Sequence, residues 1–238
     1  MEPQEEIPAP VEYPTTLYLG GEELVTIQTT PVDLEDFAVG YLFTEGWIRS
    51  LDEVVRVTVY PEKALIWVEL RDGRAKPDRS PVAGSERGVV PPVEGLTPPP
   101  PGPAVGIRDL AAWMREMGLL TPLYRQTGGM HSAMAVRVAT GERLVREDVG
   151  RHNAVDKVIG AALRRGWSGA ELVILTSGRI SYEMCVKLAR FGVGLAASRT
   201  AATDMAVDLA ERLGMDLVGY LRTEKDYRLY TAGRRLNR

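Results

Sequence analysis

Hydrophobic positions divide the chain into two stretches with different periodicities, separated by a segment that fits neither. Around Gly20-Gly21, apolar residues alternate at Leu17 and Leu19 and then at Leu24, Val25 and Ile27, which predicts a hairpin. Leu34, Phe37, Ala38, Tyr41 and Leu42 follow at helical spacing, with Asp33 placed to cap that helix and Gly46 to end it. Residues 54 to 59 and 64 to 70 read as two more strands. Beyond residue 104 the pattern becomes an alternation of amphipathic helices (107–117, 153–164, 181–190, 202–213) with short apolar strands (133–139, 172–175, 193–197, 217–221). Strands without polar alternation, set between such helices, predict a largely parallel sheet covered on both faces.

The dividing segment holds nine of the sixteen prolines between Pro77 and Pro103, with Gly84, Gly88, Gly95 and Gly102 among them. Neither helix nor sheet tolerates that density. The expected organisation is a flexible tail over 1–13, an α+β region over 14–76, a linker or long loop over 77–104, and an α/β domain over 105–238. The tail carries four Glu and three Pro with few apolar positions.

Composition narrows the function classes. One cysteine in 238 residues excludes an internal disulfide, and one Cys with two His falls short of a structural zinc set, so no zinc is expected. A balance of 29 basic and 32 acidic residues gives no global reason to expect nucleic acid or membrane binding. No stretch approaches a membrane span, and the acidic, proline-rich start is unlike a signal peptide, so a cytoplasmic protein is expected. Arg outnumbers Lys by 24 to 5. That bias suits a heat-adapted or GC-rich source, and it also leaves arginine forks available for phosphate groups.

Three polar clusters fall at strand ends, where open α/β sheets place ligands. Thr127-Gly128-Gly129-Met130-His131-Ser132 offers paired glycines for close backbone approach and a histidine that titrates near neutrality; taken alone, a tight turn with a structural His is the favoured reading. Arg146 to Asn153 opens a helix containing Asp156 and Lys157. Asp148 or Asn153 could cap that helix, whose amides attract anions; the cluster is too dense for an ordinary connection, with a solvated salt-bridged turn as the alternative. Thr176-Ser177-Gly178-Arg179 links an apolar strand to a helix and could cradle phosphate, but matches neither the P-loop nor the dinucleotide fingerprint. Cys185, beside Met184 and Val186, reads as a small buried hydrophobe or, less simply, as a reactive thiol.

Taken in order, these segments resemble the formate dehydrogenase accessory protein family (FdhD). The residues that carry the resemblance are 31–36 (PVDLED) with 40–46 (GYLFTEG), Thr127 to His131 (TGGMH), Glu147 to Lys157 (EDVGRHNAVDK), and Ser177-Gly178-Arg179 with Glu183 and Lys187. The match runs roughly from residue 15 to 235. It implies a cytidine-deaminase-like three-layer α/β/α core with a smaller N-terminal α+β region, commonly as a homodimer. It also implies a role in maturing formate dehydrogenase, by moving sulfur as a persulfide from a cysteine desulfurase to the molybdenum bis(molybdopterin guanine dinucleotide) cofactor. The cofactor, or a GDP-like guanine nucleotide, would be held by Thr127, Gly128, Gly129, His131, Glu147, Asp148, Gly150, Arg151, His152, Asn153, Asp156, Lys157, Ser177, Gly178 and Arg179. A C-terminal stretch, Tyr220-Leu221-Arg222-Thr223-Glu224-Lys225, would join them. Catalytic roles fall on His131, His152 and, as a substitute carrier, Cys185.

The family's sulfur-carrying CxxC corresponds here to Ala83-Gly84-Ser85-Glu86-Arg87-Gly88, which has no cysteine. A serine hydroxyl cannot form a persulfide, so relay through that loop is chemically closed. Two versions follow: a cofactor carrier without sulfur transfer, which the residues favour, or a carrier using Cys185. From other classes come a guanine-nucleotide-binding module and a hydrolase or deaminase-like enzyme using His131 with Glu147 or Asp148.

Overall fold

The computed structural model describes residues 7–73 and 95–237. In chain order the strands and helices are β1 (Tyr13–Leu19), β2 (Glu22–Thr29), α1 (Leu34–Thr44), β3 (Val54–Tyr60), β4 (Leu65–Leu70), β5 (Val105–Gly106), α2 (Ile107–Leu119), α3 (Pro122–Thr127), β6 (His131–Arg137), β7 (Arg143–Asp148), α4 (Arg151–Arg164), β8 (Leu172–Thr176), α5 (Tyr182–Phe191), β9 (Leu195–Ser198), α6 (Asp204–Leu213), β10 (Asp216–Gly219), β11 (Arg228–Thr231) and β12 (Leu236–Asn237). The Ala83 to Gly88 stretch lies outside the described residues, as does most of the 77–104 segment.

The α/β architecture expected from the alternation is present, with one correction. The six-stranded sheet runs β11-β10-β9-β8-β6-β7, and only β8, β9 and β10 are mutually parallel. β6 pairs antiparallel with both β7 and β8, and β11 pairs antiparallel with β10. The polar-looking stretch before residue 149 therefore hides a strand, β7, which forms a hairpin with β6. Along β8, Leu172 and Ile174 join the core beneath α4, α5 and α6, whereas Val173 and Leu175 join the core beneath α2. Successive side chains on opposite faces, both apolar, explain why the strand reads as an unbroken hydrophobic run.

The N-terminal region forms its own sheet, β2-β1-β4-β3, on which α1 buries Phe37, Tyr41 and Leu42 against Leu17, Leu19, Ile66 and Val68. α1 is buried around its circumference because its other side meets α4. The two helices cross backbone to backbone: a Cβ on Gly40 would overlap the Asp156 carbonyl, and one on Gly160 would overlap that of Asp36. Small residues at such crossings let the axes approach closely, so only glycine fits either position.

Two capping expectations change. Asp33 is the N-cap of α1, but it sits in the left-handed region (φ 52°) and its side chain makes no cap hydrogen bond. The N-cap of α4 is Gly150, not Asp148 or Asn153.

Candidate functional site

Because β6 runs antiparallel to β8, the first residue of β6 and the last residues of β7, β8, β9 and β10 share one edge of the sheet. His131 is opposite Asp148, Ala133 opposite Thr176, and Thr176 opposite Ser198. All the motif turns therefore open on the same side, consistent with ligand placement beyond the carboxyl ends of parallel strands.

The centre of this edge is tightly built. The Ser177 amide donates to the Ser132 carbonyl (2.9 Å), the Ser132 amide donates to Ser177 Oγ (2.9 Å), and His131 Nδ1 lies 3.3 Å from the same oxygen. Gly178 lets the turn pass under Arg151: a Cβ there would come within 2.7 Å of the Arg151 Cβ and 3.3 Å of His131 Nδ1. Ser198 Oγ donates to the Gly178 carbonyl (2.7 Å) and thereby ties the β9 turn to the glycine. Next to it, His152 Nε2 lies 3.1 Å from Ser181 Oγ and 3.5 Å from Glu183 Oε2.

The electrostatics favour an anion. Arg151 is half-buried, its Nε has no hydrogen-bond partner, and burial followed by the charge of Arg179 lowers its pKa, with Glu183 opposing. Arg179 is exposed and forms no ion pair among the described residues. His131 is held below its ordinary pKa by burial and then by Arg151, with Asp148 opposing. Burial, Lys187, Arg151 and His131 together depress His152 to about 3, so both rings are neutral at pH 7.

The remaining motif residues point elsewhere. Asp148 is fully buried, pairs with Lys157 Nζ at 2.7 Å, and accepts from the amides of Thr30 and Gly150 and from Asn153 Nδ2. Lys157 completes its three donors on the Thr30 and Glu147 carbonyls. Asp156 accepts from Thr44 Oγ1 (2.6 Å) and Lys187 Nζ (2.8 Å), and Lys187 also meets Glu45 at 2.8 Å. The Glu147 carboxylate takes the Leu123 and Tyr124 amides at the start of α3. Asp148, Asp156 and Lys157 therefore cannot offer a ligand a polar group without breaking an internal bond, and Glu147 and Asn153 are held in place by theirs. The same engagement argues against an acid/base pair of His131 with Glu147 or Asp148.

In the first turn, Gly128 (φ 67°) closes α3, Thr127 Oγ1 donates to the Leu123 carbonyl, and Gly129 lies against Pro10. Tyr220, exposed, anchors its amide on the Thr200 carbonyl, whereas Leu221 is buried in the core. Arg222, Thr223, Glu224 and Lys225 form a solvent-facing turn in which Arg222 meets Asp226 and Glu224 meets Arg108. Ser181, Ser198 and Thr200 escaped the sequence reading; the Ser-Arg-Thr run just after an apolar strand was the available signal.

Cys185 is fully buried under α5, with Met215 Sδ at 4.0 Å, and burial pushes its thiol up to about 12. The reading of Cys185 as a substitute sulfur carrier fails on both counts, because a persulfide carrier must ionise and must reach its partner. No group of three or more His, Cys, Asp or Glu among the described residues is arranged to hold a metal ion. No helix among them is long and apolar enough to cross a membrane.

The model of the FdhD/NarQ family matches residues 10–237. The chain belongs to this family. It is 33% identical over 246 residues to the sulfur carrier protein FdhD of Geobacillus kaustophilus, covering 96% of this chain and 89% of the relative. It is 32% identical over 234 residues to that of Bacillus subtilis, covering 94% and 88%. A crystal structure assigned to a formate dehydrogenase accessory protein of Desulfotalea psychrophila superposes with a TM-score of 0.80 at 29% identity, covering 95% of this chain and 90% of the other. Within a family whose relatives are described as sulfur carriers, this chain's single cysteine is enclosed in the core.

Proposed function

We propose that this chain is a formate dehydrogenase accessory protein that holds the guanine nucleotide ends of the molybdenum bis(molybdopterin guanine dinucleotide) cofactor without itself carrying sulfur. The observation that carries the reading is Arg151: its half-buried guanidinium has an unused Nε donor, lies over the Gly178 turn, and stands beside a second free arginine, Arg179. A pyrophosphate suits such a set, since arginine donors, the glycine-floored turn between β8 and α5 and the start of α4 complement its charge and shape.

Arg151 and Arg179 would hold phosphate oxygens, while Ser177 and neutral His131 would orient them by hydrogen bonding. His152, fixed between Ser181 and Glu183, would brace the first turn of α4. The cofactor, when bound, supplies the redox centre of the dehydrogenase. Tyr220 and the turn to Lys225 lie along the same edge and are the proposed neighbours of the rest of the nucleotide. The part taken by this chain is binding and delivery, in a cytoplasmic setting and as a homodimer. Without an accessible thiol it would accept no sulfur from a cysteine desulfurase.

Calorimetry with GDP on wild type, Arg151→Ala and Arg179→Ala tests the site. One-to-one binding weakened at least about ten-fold by either change is expected, from the roughly 1.5–3 kcal/mol of a hydrogen bond to a charged group. GDP binding that both variants leave unchanged would remove the site from consideration.

A further inference from the structure

At the opposite end of the six-stranded sheet, the residues that precede the parallel strands enclose a cavity of about 80 Å³. The proline strap Pro98 to Pro101, the turns at Gly194 and Gly214, and the neighbouring Arg234 and Arg235 line it. Arg235 is only 4% exposed. Its Nε donates to the Pro103 carbonyl at 3.0 Å and its Nη1 to the Leu172 carbonyl at 2.7 Å, but Nη2 has no partner.

No carboxylate lies within ion-pair distance of this guanidinium among the described residues. Asp216 attracts the guanidinium from beyond that distance, and its two oxygens are taken by the backbone amides of Gly233 (2.7 Å) and Arg235 (2.9 Å). Space for the side chain is made by glycine: a Cβ on Gly102 would come within 2.9 Å of the Arg235 Cζ, and one on Gly194 within 3.1 Å of its Cδ. A buried cation with an open donor is unfavourable, and an anion in the adjoining space relieves it.

Size restricts the anion. The cavity is several times the ~10–15 Å³ that one water needs, yet well below the ~300 Å³ at which pockets for larger organic ligands begin. It therefore suits neither a nucleotide nor a lone water. We infer that Arg235, with exposed Arg234 at the rim, binds a small tetrahedral oxyanion, phosphate or sulfate, at this end of the sheet. The anion would bridge the sheet to the strap, since the same guanidinium already holds the Pro103 carbonyl. This inference does not depend on nucleotide binding at the other edge.

The test uses the full chain carrying Arg151→Ala and Arg179→Ala, which removes the phosphate contacts proposed at the other edge. Inorganic phosphate, and separately sulfate, is titrated against chloride at matched ionic strength while backbone amide resonances are followed by NMR. Saturable one-to-one shifts at Gly102, Gly194 and Gly214 with either oxyanion, absent in chloride, are expected. Adding Arg235→Lys, which keeps the charge but removes the Nη2 donor, should abolish saturation. Should that variant fail to fold, the localisation of the shifts in protein retaining Arg235 still decides. Shifts that are absent, or that appear equally in chloride, overturn the inference.

Discussion

Helix α4 is used in two ways, and the contrast separates structural charge from available charge. Its face toward α1 carries Asp156 and Lys157, which, with Asp148 and Lys187, form buried pairs whose donors and acceptors are met from inside the protein. Arg146 and Arg164 both reach Asp36 of α1 and extend the same seam. Its first turn, only a few residues away, presents Arg151 and His152 to the strand edge, where Arg151 keeps an unused donor and His152 is kept neutral. Charges whose partners are complete hold two elements together. Charges left with open donors are the ones a ligand can use. The eleven residues from Glu147 to Lys157 contribute to both, so a motif that looks like one site is a joint and a site in succession.

The contrast breaks most visibly at the joint. Lys187 donates to Asp156, Glu45 and Thr44 in an almost fully buried setting. Lys187→Met should leave the Asp156 carboxylate uncompensated and Glu45 with only Arg190, and destabilise the protein by about 3–5 kcal/mol, read from urea denaturation. A cost under about 1 kcal/mol would mean that the seam is hydrated and the pairs are weak. At the edge the balance should invert. Arg151→Ala should cost no more than about 1 kcal/mol, well below Lys187→Met, while lowering GDP affinity ten-fold or more.

Much of this arrangement was legible in the sequence, and the parts that were not have definite causes. Hydrophobic periodicity located α1, α2, α4, α5 and α6 and the parallel strands, because burial dictates those patterns directly. It missed β7, where Arg143, Arg146 and Glu147 interrupt the apolar alternation. Those charges are tolerated because Arg143 pairs with Glu116 of α2, Arg146 reaches α1 and Glu147 binds α3. All three are partners distant in sequence. The same limitation governs the site. Residue type and spacing drew attention to the right turns, but Asp148 and Arg151 look alike in sequence, as charged residues flanking a glycine. Only the position of Thr30 and Asn153 around one, and of Gly178 and Arg179 around the other, tells them apart.

Gly160→Ala sharpens the joint by geometry instead of charge. A methyl group would overlap the Asp36 carbonyl, so α1 and α4 must separate, at a cost of about 1–3 kcal/mol typical of overpacking. The effect should appear as loss of stability with GDP affinity retained in the folded fraction. At the edge, His152 gives a pH signature. Burial, Lys187, Arg151 and His131 lower its pKa from 6.5 to about 3, so below pH 6.5 the unfolded chain takes up a proton that the folded chain refuses. Its contribution is therefore complete above about pH 6.5 and declines as the pH falls toward 3, with a slope of at most ~1.4 kcal/mol per pH unit. His152→Gln should remove that slope, measured as the difference between the two proteins in urea denaturation over that range. An unchanged difference would mean that the ring is charged in the fold and belongs with the paired groups of the seam.

Cys185 supplies the smallest expected effect and the strictest check on what the edge is for. It belongs to neither region: it lies in the apolar core under α5, two residues after Glu183 in sequence but turned inward, where its thiol is raised to about 12. Exposure to a cysteine desulfurase and free cysteine should add no sulfur to the folded chain, as read by intact mass. Cys185→Ala should cost no more than about 1 kcal/mol, since a small buried side chain is shortened without stranding a strong hydrogen bond. Its GDP affinity should stay at the wild-type value, and its support of formate dehydrogenase should persist in cells lacking the native accessory protein. A persulfide on folded wild type, lost in Cys185→Ala together with that support, would show that the core opens to deliver sulfur. The open donors of Arg151 and Arg179 would then serve a transfer step rather than a holding one.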